Sequence, residues 1–135
     1  MHSAAASAYA KTARTTQSPR DLEASILLKA AQQLQSACDN WQPDGTELGT
    51  ALTYNRKIWT ILATSATEPD NPLPAQIKAN IAQLAAVIFQ RTLAILMEPA
   101  PEKLALLVRI NREVASGLRT QPAIAQPAMA QPAAA

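Results

Sequence analysis

The sequence predicts an all-α protein: a compact bundle of about four amphipathic helices with an N-terminal helical arm and a disordered C-terminal tail. Three observations support this. Alanine, the best helix former, occurs 29 times among 135 residues, while there are only five aromatic residues. Apolar residues between positions 19 and 118 recur at three- and four-residue spacing, without the alternation typical of strands. Proline-containing breaks divide this range into four segments of helical length.

The first bundle helix has a clear start signal. Ser18 is placed to cap the helix, Pro19 suits its first position, and Asp21 follows three residues after the cap. The residues after this start form one apolar face at helical spacing: Leu27, Ala31, Leu34, Cys38 and Trp41. The segment 43–45 (Pro-Asp-Gly) should end this helix, and we expect Asp44 to cap the next one.

Two further helices follow, separated by a proline-rich connection at 68–74. The earlier one carries an apolar stripe of Leu48, Leu52, Trp59, Leu62 and Ala66. The later one should begin at Pro74 and run to about Met97. Its predicted buried face comprises Ile77, Ile81, Leu84, Ile88 and Ile95, with Phe89 and Leu96 beside it.

The last helix follows the break at 99–101 and carries Leu104, Leu107, Val108, Val114 and Leu118. Gly117 lies where a left-handed cap is expected. The domain division is therefore an N-terminal arm over 1–17, a helical bundle over 18–118 and a tail over 119–135. The tail reads QPAIA QPAMA QPAAA from residue 121, and prolines at that spacing forbid a regular helix.

Composition excludes most kinds of chemistry. One histidine (His2) and one cysteine (Cys38) cannot form a Cys/His zinc cluster, and a catalytic triad would depend on a terminal histidine. No glycine-rich phosphate loop is present, since the chain has three glycines. We therefore expect no enzymatic activity, no metal and no cofactor.

The charge pattern argues against a nucleic-acid partner. The formal net charge is +2, but residues 21–118 hold eight basic and ten acidic residues, so the basic excess lies at the ends. No run approaches the ~20 consecutive apolar residues that span a bilayer, and no secretory signal pattern occurs at the N-terminus. These features predict a cytoplasmic protein without a membrane span.

The most informative side chains are polar residues within apolar stripes. Trp59 is in phase with its stripe and should pack in the core, while Asn55 lies one turn before it. A buried amide needs hydrogen-bond partners, so Asn55 either caps a neighbouring backbone or faces a partner groove. Asn111 poses the same question in the last helix. The stiff turn at 71–74 either stops a helix or presents Leu73 as an apolar knuckle.

Three blocks in this order carry a family resemblance: Asn-Arg-x-x-Trp at 55–59, Asn-Pro-Leu-Pro at 71–74 and Ile-Asn-Arg at 110–112. With the Ser-Pro-Arg-Asp-Leu-Glu start, they make the chain similar to the flagellar biosynthesis regulator FlaF of alphaproteobacteria over about residues 8–118. The repeat tail is a departure from the usual form.

The resemblance implies a small helical cytoplasmic protein that promotes flagellin production and filament assembly. It implies flagellin as the partner, bound in a chaperone-like way through amphipathic helices, and opposition to the translational regulator FlbT. The alternative function is direct post-transcriptional action on flagellin mRNA. The residues that carry the family pattern, and that either fold the bundle or contact the partner, are Asn55, Arg56, Trp59, Leu73, Pro74, Asn111 and Arg112.

Overall fold

A computed structural model describes residues 18–120, which form four α-helices and no strand. The helices are α1 (Pro19–Asp39), α2 (Thr46–Ala66), α3 (Ala75–Met97) and α4 (Glu102–Arg119). This confirms the predicted all-α class and the four helices. The predicted N-terminal arm and the Gln-Pro-Ala repeat lie outside the described residues.

The helix starts agree with the prediction at α1 and differ at α2. The Ser18 hydroxyl accepts a hydrogen bond from the Asp21 N–H at 3.0 Å, as a side-chain cap should. At α2 the capping residue is Gly45, so the prediction that Asp44 caps this helix is wrong. The Gly45 N–H donates to the Gln42 carbonyl at 2.8 Å, and this tight turn leaves Asp44 before the helix.

Two other boundaries differ from the prediction. Gly117 lies inside α4, and no glycine within residues 18–120 has a positive φ, so the expected left-handed cap is wrong. The Thr120 N–H donates to the Ser116 and Gly117 carbonyls, which satisfies the helix end without a left-handed residue. Helix α4 therefore includes Arg119, the first residue of the predicted tail. Pro74 precedes α3 as its capping residue, one position before the helix begins.

The four helices enclose one apolar core in the order α1, α2, α3, α4. Helix α1 packs most extensively against α4, α2 lies against both α1 and α3, and α3 packs less extensively against α4 than against α2. The largest fully buried apolar side chains are Trp59, Leu27, Leu34, Leu52, Ile88, Ile95, Leu104, Leu107 and Leu118. Helix α3 is thus the least enclosed member of the bundle.

Helix α3 has a second unusual property, because it is long and apolar enough by length and composition to cross a membrane. Core helices of soluble proteins have the same length and composition. In α3, however, only 28% of the most apolar 18-residue stretch is buried. The sequence predicts no membrane span because no run of about 20 consecutive apolar residues occurs. In α3, the charged residues Lys78 and Arg91 interrupt the apolar sequence. The bundle buries one row of α3 and leaves other apolar side chains in solvent.

Candidate functional site

Three of the residues singled out by sequence form a polar network in the centre of the bundle. The Trp59 indole N–H donates to Asn111 Oδ1 at 2.9 Å. Asn111 Nδ2 donates to Asn55 Oδ1 at 2.7 Å and to the Leu27 carbonyl at 3.3 Å. Because Leu27 is in α1, Asn55 and Trp59 in α2 and Asn111 in α4, the network joins three helices.

The polar network is inaccessible to a partner. Asn55, Trp59 and Asn111 are each 0% exposed, which confirms that Trp59 packs in the core. Asn55 meets the side chain of Asn111, so it neither caps a backbone nor faces a groove. Asn111 bonds to both side chains and to the Leu27 carbonyl, whereas Asn55 Nδ2 is buried without a hydrogen-bond partner. Breaking these bonds would leave further buried polar atoms unpaired, so the network favours one alignment of the three helices. The Asn-Arg-x-x-Trp and Ile-Asn-Arg blocks therefore each contribute core residues to one structural element.

The Asn-Pro-Leu-Pro turn is structural as well. Asn71 Nδ2 donates to the Ser65 carbonyl at 3.0 Å, and Asn71 Oδ1 accepts from the Leu73 N–H at 2.9 Å. These bonds fold the connection back onto the end of α2 and direct Leu73 inward, where it is 6% exposed. Leu73 thus belongs to the core and does not project as a knuckle, while Pro74 is exposed and precedes α3.

The two arginines of the family pattern lie on different surfaces. Arg112 is exposed beside a shallow polar depression formed with α1 residues, including Gln32 and Asp39. Arg56 is exposed on the side of α2 that faces α3. The structure therefore brings Asn55, Trp59 and Asn111 together in the core. Of the residues that carry the family pattern, Arg56 lines a partly apolar surface groove.

This α2–α3 groove has a volume of about 460 Å³ and opens to solvent. Its α3 wall is apolar, with Phe89 36%, Leu93 59% and Leu96 58% exposed. Its α2 wall consists mostly of small or hydroxyl-bearing residues together with Arg56. The residues that line the groove are Gly49, Leu52, Thr53, Arg56, Thr60, Phe89, Thr92, Leu93 and Leu96. Neighbouring exposed apolar side chains of this size mark an interaction surface more often than isolated ones do.

Sequence reasoning did not identify the α3 wall of this groove. The apolar periodicity of the sequence places Phe89 and Leu96 beside the buried face of the helix. A second signal was present: Ala82, Ala86, Phe89, Leu93 and Leu96 follow alternating steps of four and three residues. A helix with apolar residues on more than one face has more apolar surface than one core contact requires.

The described residues contain little that suggests chemistry. Within residues 18–120, no group of three or more His, Cys, Asp or Glu side chains is placed to hold a metal ion. Burial raises the pKa of the Glu23 carboxyl above its ordinary value, and the neighbouring Arg20 guanidinium, 3.0 Å away, lowers it in part. This pair lies on α1 and does not line the groove. The groove can bind apolar side chains of a partner next to the positively charged Arg56.

Comparison with known protein families identifies the chain. The model of the family described as flagellar protein FlaF matches residues 5–118. No curated protein and no solved structure gives a significant match. The matched range covers all four helices almost to the end of α4. The chain therefore belongs to the flagellar protein FlaF family.

Proposed function

We propose that this protein is a non-enzymatic adaptor that binds flagellin in the α2–α3 groove and so promotes flagellin production and filament assembly. Family membership connects the chain with the flagellum. The observation that carries the proposal is the exposed apolar wall of α3, formed by Phe89, Leu93 and Leu96. Opposition to the translational regulator FlbT belongs to the same proposal.

The shape of the groove suits a helical partner. It runs between two neighbouring helices, and its apolar wall provides the contacts that an amphipathic helix makes when it lies in a groove. Fully burying a leucine or phenylalanine side chain is worth about 1.5–3 kcal/mol. The half-exposed side chains of α3 therefore leave a substantial part of that free energy to be gained from a partner.

The alternative of direct action on flagellin mRNA fits this surface less well. Nucleic-acid binding requires lysine and arginine side chains clustered along one face. The α2–α3 groove contains Arg56, but its α3 wall is apolar. Such a surface favours a protein helix over a phosphate backbone.

The test is gel filtration of the full chain with flagellin, comparing two matched substitutions in α3. Leu93→Asp places a charge in the groove wall, whereas Gln83→Asp places the same charge at an exposed position outside the groove. We expect wild type and Gln83→Asp to co-elute with flagellin and Leu93→Asp to bind at least ~10-fold more weakly, as the loss of one buried leucine implies.

Two results would contradict this proposal. Failure of the wild-type chain to co-elute with flagellin at any salt concentration would remove flagellin as the partner. Equal binding by both variants would show that flagellin is bound elsewhere on the chain. A gel shift with flagellin leader RNA at 50 mM salt would support the mRNA alternative if its affinity fell steeply as salt is added, as about one counterion is released per contacted phosphate.

A further inference from the structure

Two facing rows of side chains give the α2–α3 groove a regular spacing. The groove is lined on α2 by Gly49, Thr53, Arg56 and Thr60, and on α3 by Phe89, Leu93 and Leu96. The same spacing continues along the two helices, beyond the groove lining, to Ala63 on α2 and to Ala86 and Ala82 on α3. Both rows advance by alternating steps of four and three residues, the spacing at which helices pack side by side in coiled coils. Each row spans about 21 Å along its helix, at 1.5 Å per residue. A third helix of about two heptads can therefore lie along both rows.

The two rows differ in size and chemistry. Apart from Arg56, the α2 row has small side chains that allow a partner helix to approach closely, and a Cβ at Gly49 would meet no atom within 4 Å. The α3 row presents Phe89, Leu93 and Leu96, which are all exposed. We therefore expect a partner helix to pack its apolar side chains against α3, with Arg56 at the edge of that contact.

The charge around the groove is positive and uncompensated. Within the described range, neither Arg56 nor the adjacent Lys57 forms an ion pair. Helix α3 contains no acidic residue, and Glu47 of α2 accepts a hydrogen bond from Ser36 of α1. An acidic side chain on a partner helix would therefore meet no competing carboxylate in the groove.

The same charge argues against the ends of this chain as occupants. Residues 1–17 carry Lys11 and Arg14 and no acidic residue, while residues 121–135 carry no charged side chain. Neither segment complements Arg56. The occupant that the groove favours is a helix from another protein.

We propose that the α2–α3 groove recognises a helix of about two heptads whose apolar stripe is flanked by an acidic side chain that pairs with Arg56. This rests on the proposed function and specifies the chemistry of the flagellin segment. The acidic residue provides selectivity, and the apolar stripe provides most of the affinity.

The experiment measures binding of designed peptides to the full chain by fluorescence anisotropy. The probe is a helical peptide of two heptads with leucines along its stripe and one glutamate beside it, and the controls replace that glutamate with glutamine or lysine. The protein variants are Arg56→Gln and Arg56→Glu. The matched control is Arg109→Glu, which reverses an exposed arginine on α4 outside the groove.

We expect wild type and Arg109→Glu to bind the glutamate peptide about 2- to 5-fold more tightly than the glutamine peptide, as for an exposed ion pair. This preference should vanish in Arg56→Gln and turn toward the lysine peptide in Arg56→Glu. It should also shrink in wild type between 50 and 500 mM salt, because salt screens exposed charges.

Several outcomes would overturn the inference. They are equal binding of the three peptides by wild type, no binding of any peptide, or a preference that Arg56→Glu leaves unchanged. Self-association of the chain through the groove would assign it to a second copy. Sedimentation with phosphatidylglycerol vesicles that Leu93→Asp abolishes, without peptide binding, would assign it to a lipid surface.

Flagellin binding separates this inference from the proposed function. If flagellin co-elutes with wild type and with Arg56→Glu equally, while Leu93→Asp blocks binding, the acidic preference is wrong and the adaptor function stands. If the glutamate peptide shows the expected preference but flagellin does not co-elute, the groove chemistry is right and flagellin is not its partner.

Discussion

Helix α2 contributes to two regions whose residues are neighbours in the sequence and are separated in the folded protein. In the core, Asn55 and Trp59 are 0% exposed and joined through Asn111 to α4. In the groove, Arg56 and Thr60 lie one residue further along the same helix and face solvent beside α3. A one-residue step rotates a helix position by about 100°, since there are 3.6 residues per turn. Neighbours in one motif can therefore serve folding and binding separately.

The family motifs therefore contain residues of two kinds. The buried members of the blocks hold three helices in register, so their substitution should reduce stability. The exposed members lie where a substitution changes a surface and leaves the core unaltered. Substitutions in the two regions should therefore affect stability and binding separately.

The largest expected effect is on the core. Trp59→Ala removes the bulkiest fully buried side chain and leaves Asn111 Oδ1 without its indole donor. We expect the free energy of unfolding to fall by about 3–5 kcal/mol, as for other tryptophan truncations in cores. Leu96→Ala, at a side chain that is 58% exposed, should change it by less than about 0.5 kcal/mol. Urea denaturation followed by circular dichroism measures both.

A milder variant keeps this test informative if Trp59→Ala does not fold. Trp59→Phe retains an aromatic ring but removes the N–H that Asn111 accepts from. It should cost at least about 1–3 kcal/mol, the penalty for an unsatisfied buried polar atom. If Leu96→Ala destabilised the chain as much as Trp59→Phe, the separation between core and groove would be wrong.

A smaller effect is expected at two exposed glycines inside helices. A Cβ at Gly49 in α2 or Gly117 in α4 would meet no atom within 4 Å. Gly49→Ala and Gly117→Ala should each raise the free energy of unfolding by roughly 0.5–1 kcal/mol, because alanine loses less backbone entropy in a helix.

The same two substitutions distinguish an effect on flagellin binding from an effect on stability. Gly49 lines the α2–α3 groove and Gly117 does not. Gly49→Ala should therefore weaken flagellin binding, since the added methyl group stands in the path of a partner helix, while Gly117→Ala leaves it unchanged. Equal affinity for the two variants would show that the partner does not approach the α2 wall closely.

The smallest expected effect is a pH dependence on α1. Burial raises the pKa of the Glu23 carboxyl, so the folded state binds this proton more tightly than the unfolded state. The penalty for the buried carboxylate is therefore present at neutral pH and is relieved as pH falls through the range just above the ordinary value of 4.5.

The measurement compares wild type with Glu23→Gln, which cannot titrate. Relative to this variant, wild type should gain stability as pH falls from 7 toward 4.5. Parallel stability curves for the two chains would show that Glu23 is not a source of pH dependence. Flagellin binding should be unaffected, because Glu23 does not line the groove.

Much of the fold could be predicted from local pattern. The Ser18 cap, the proline breaks and the apolar stripes each act within one or two helical turns, so their effects are visible in the sequence. The errors also have local causes. Gly45 rather than Asp44 precedes α2, because the tight turn closed by the Gly45 N–H and the Gln42 carbonyl includes Asp44. Gly117 stayed helical because Thr120 satisfied the end of α4.

The candidate site could be predicted only in part. Arg56 was singled out and does line the groove, but Phe89 and Leu93 were not recognised as its wall. The pattern of α3 shows that it has more than one apolar face, and it does not show which face the neighbouring helices cover. That choice depends on how the four helices pack, in particular on the small contact between α3 and α4.

The helical class, the number of bundle helices and the family follow from the sequence alone, because helix propensity, periodicity and ordered motifs are properties of the chain. The packing of the helices brings Asn55, Trp59 and Asn111 into one buried network, although Asn55 and Asn111 are 56 residues apart in the sequence. The same packing leaves one apolar face of α3 exposed to solvent. Both depend on contacts between helices far apart in the chain, and no local pattern encodes which faces meet.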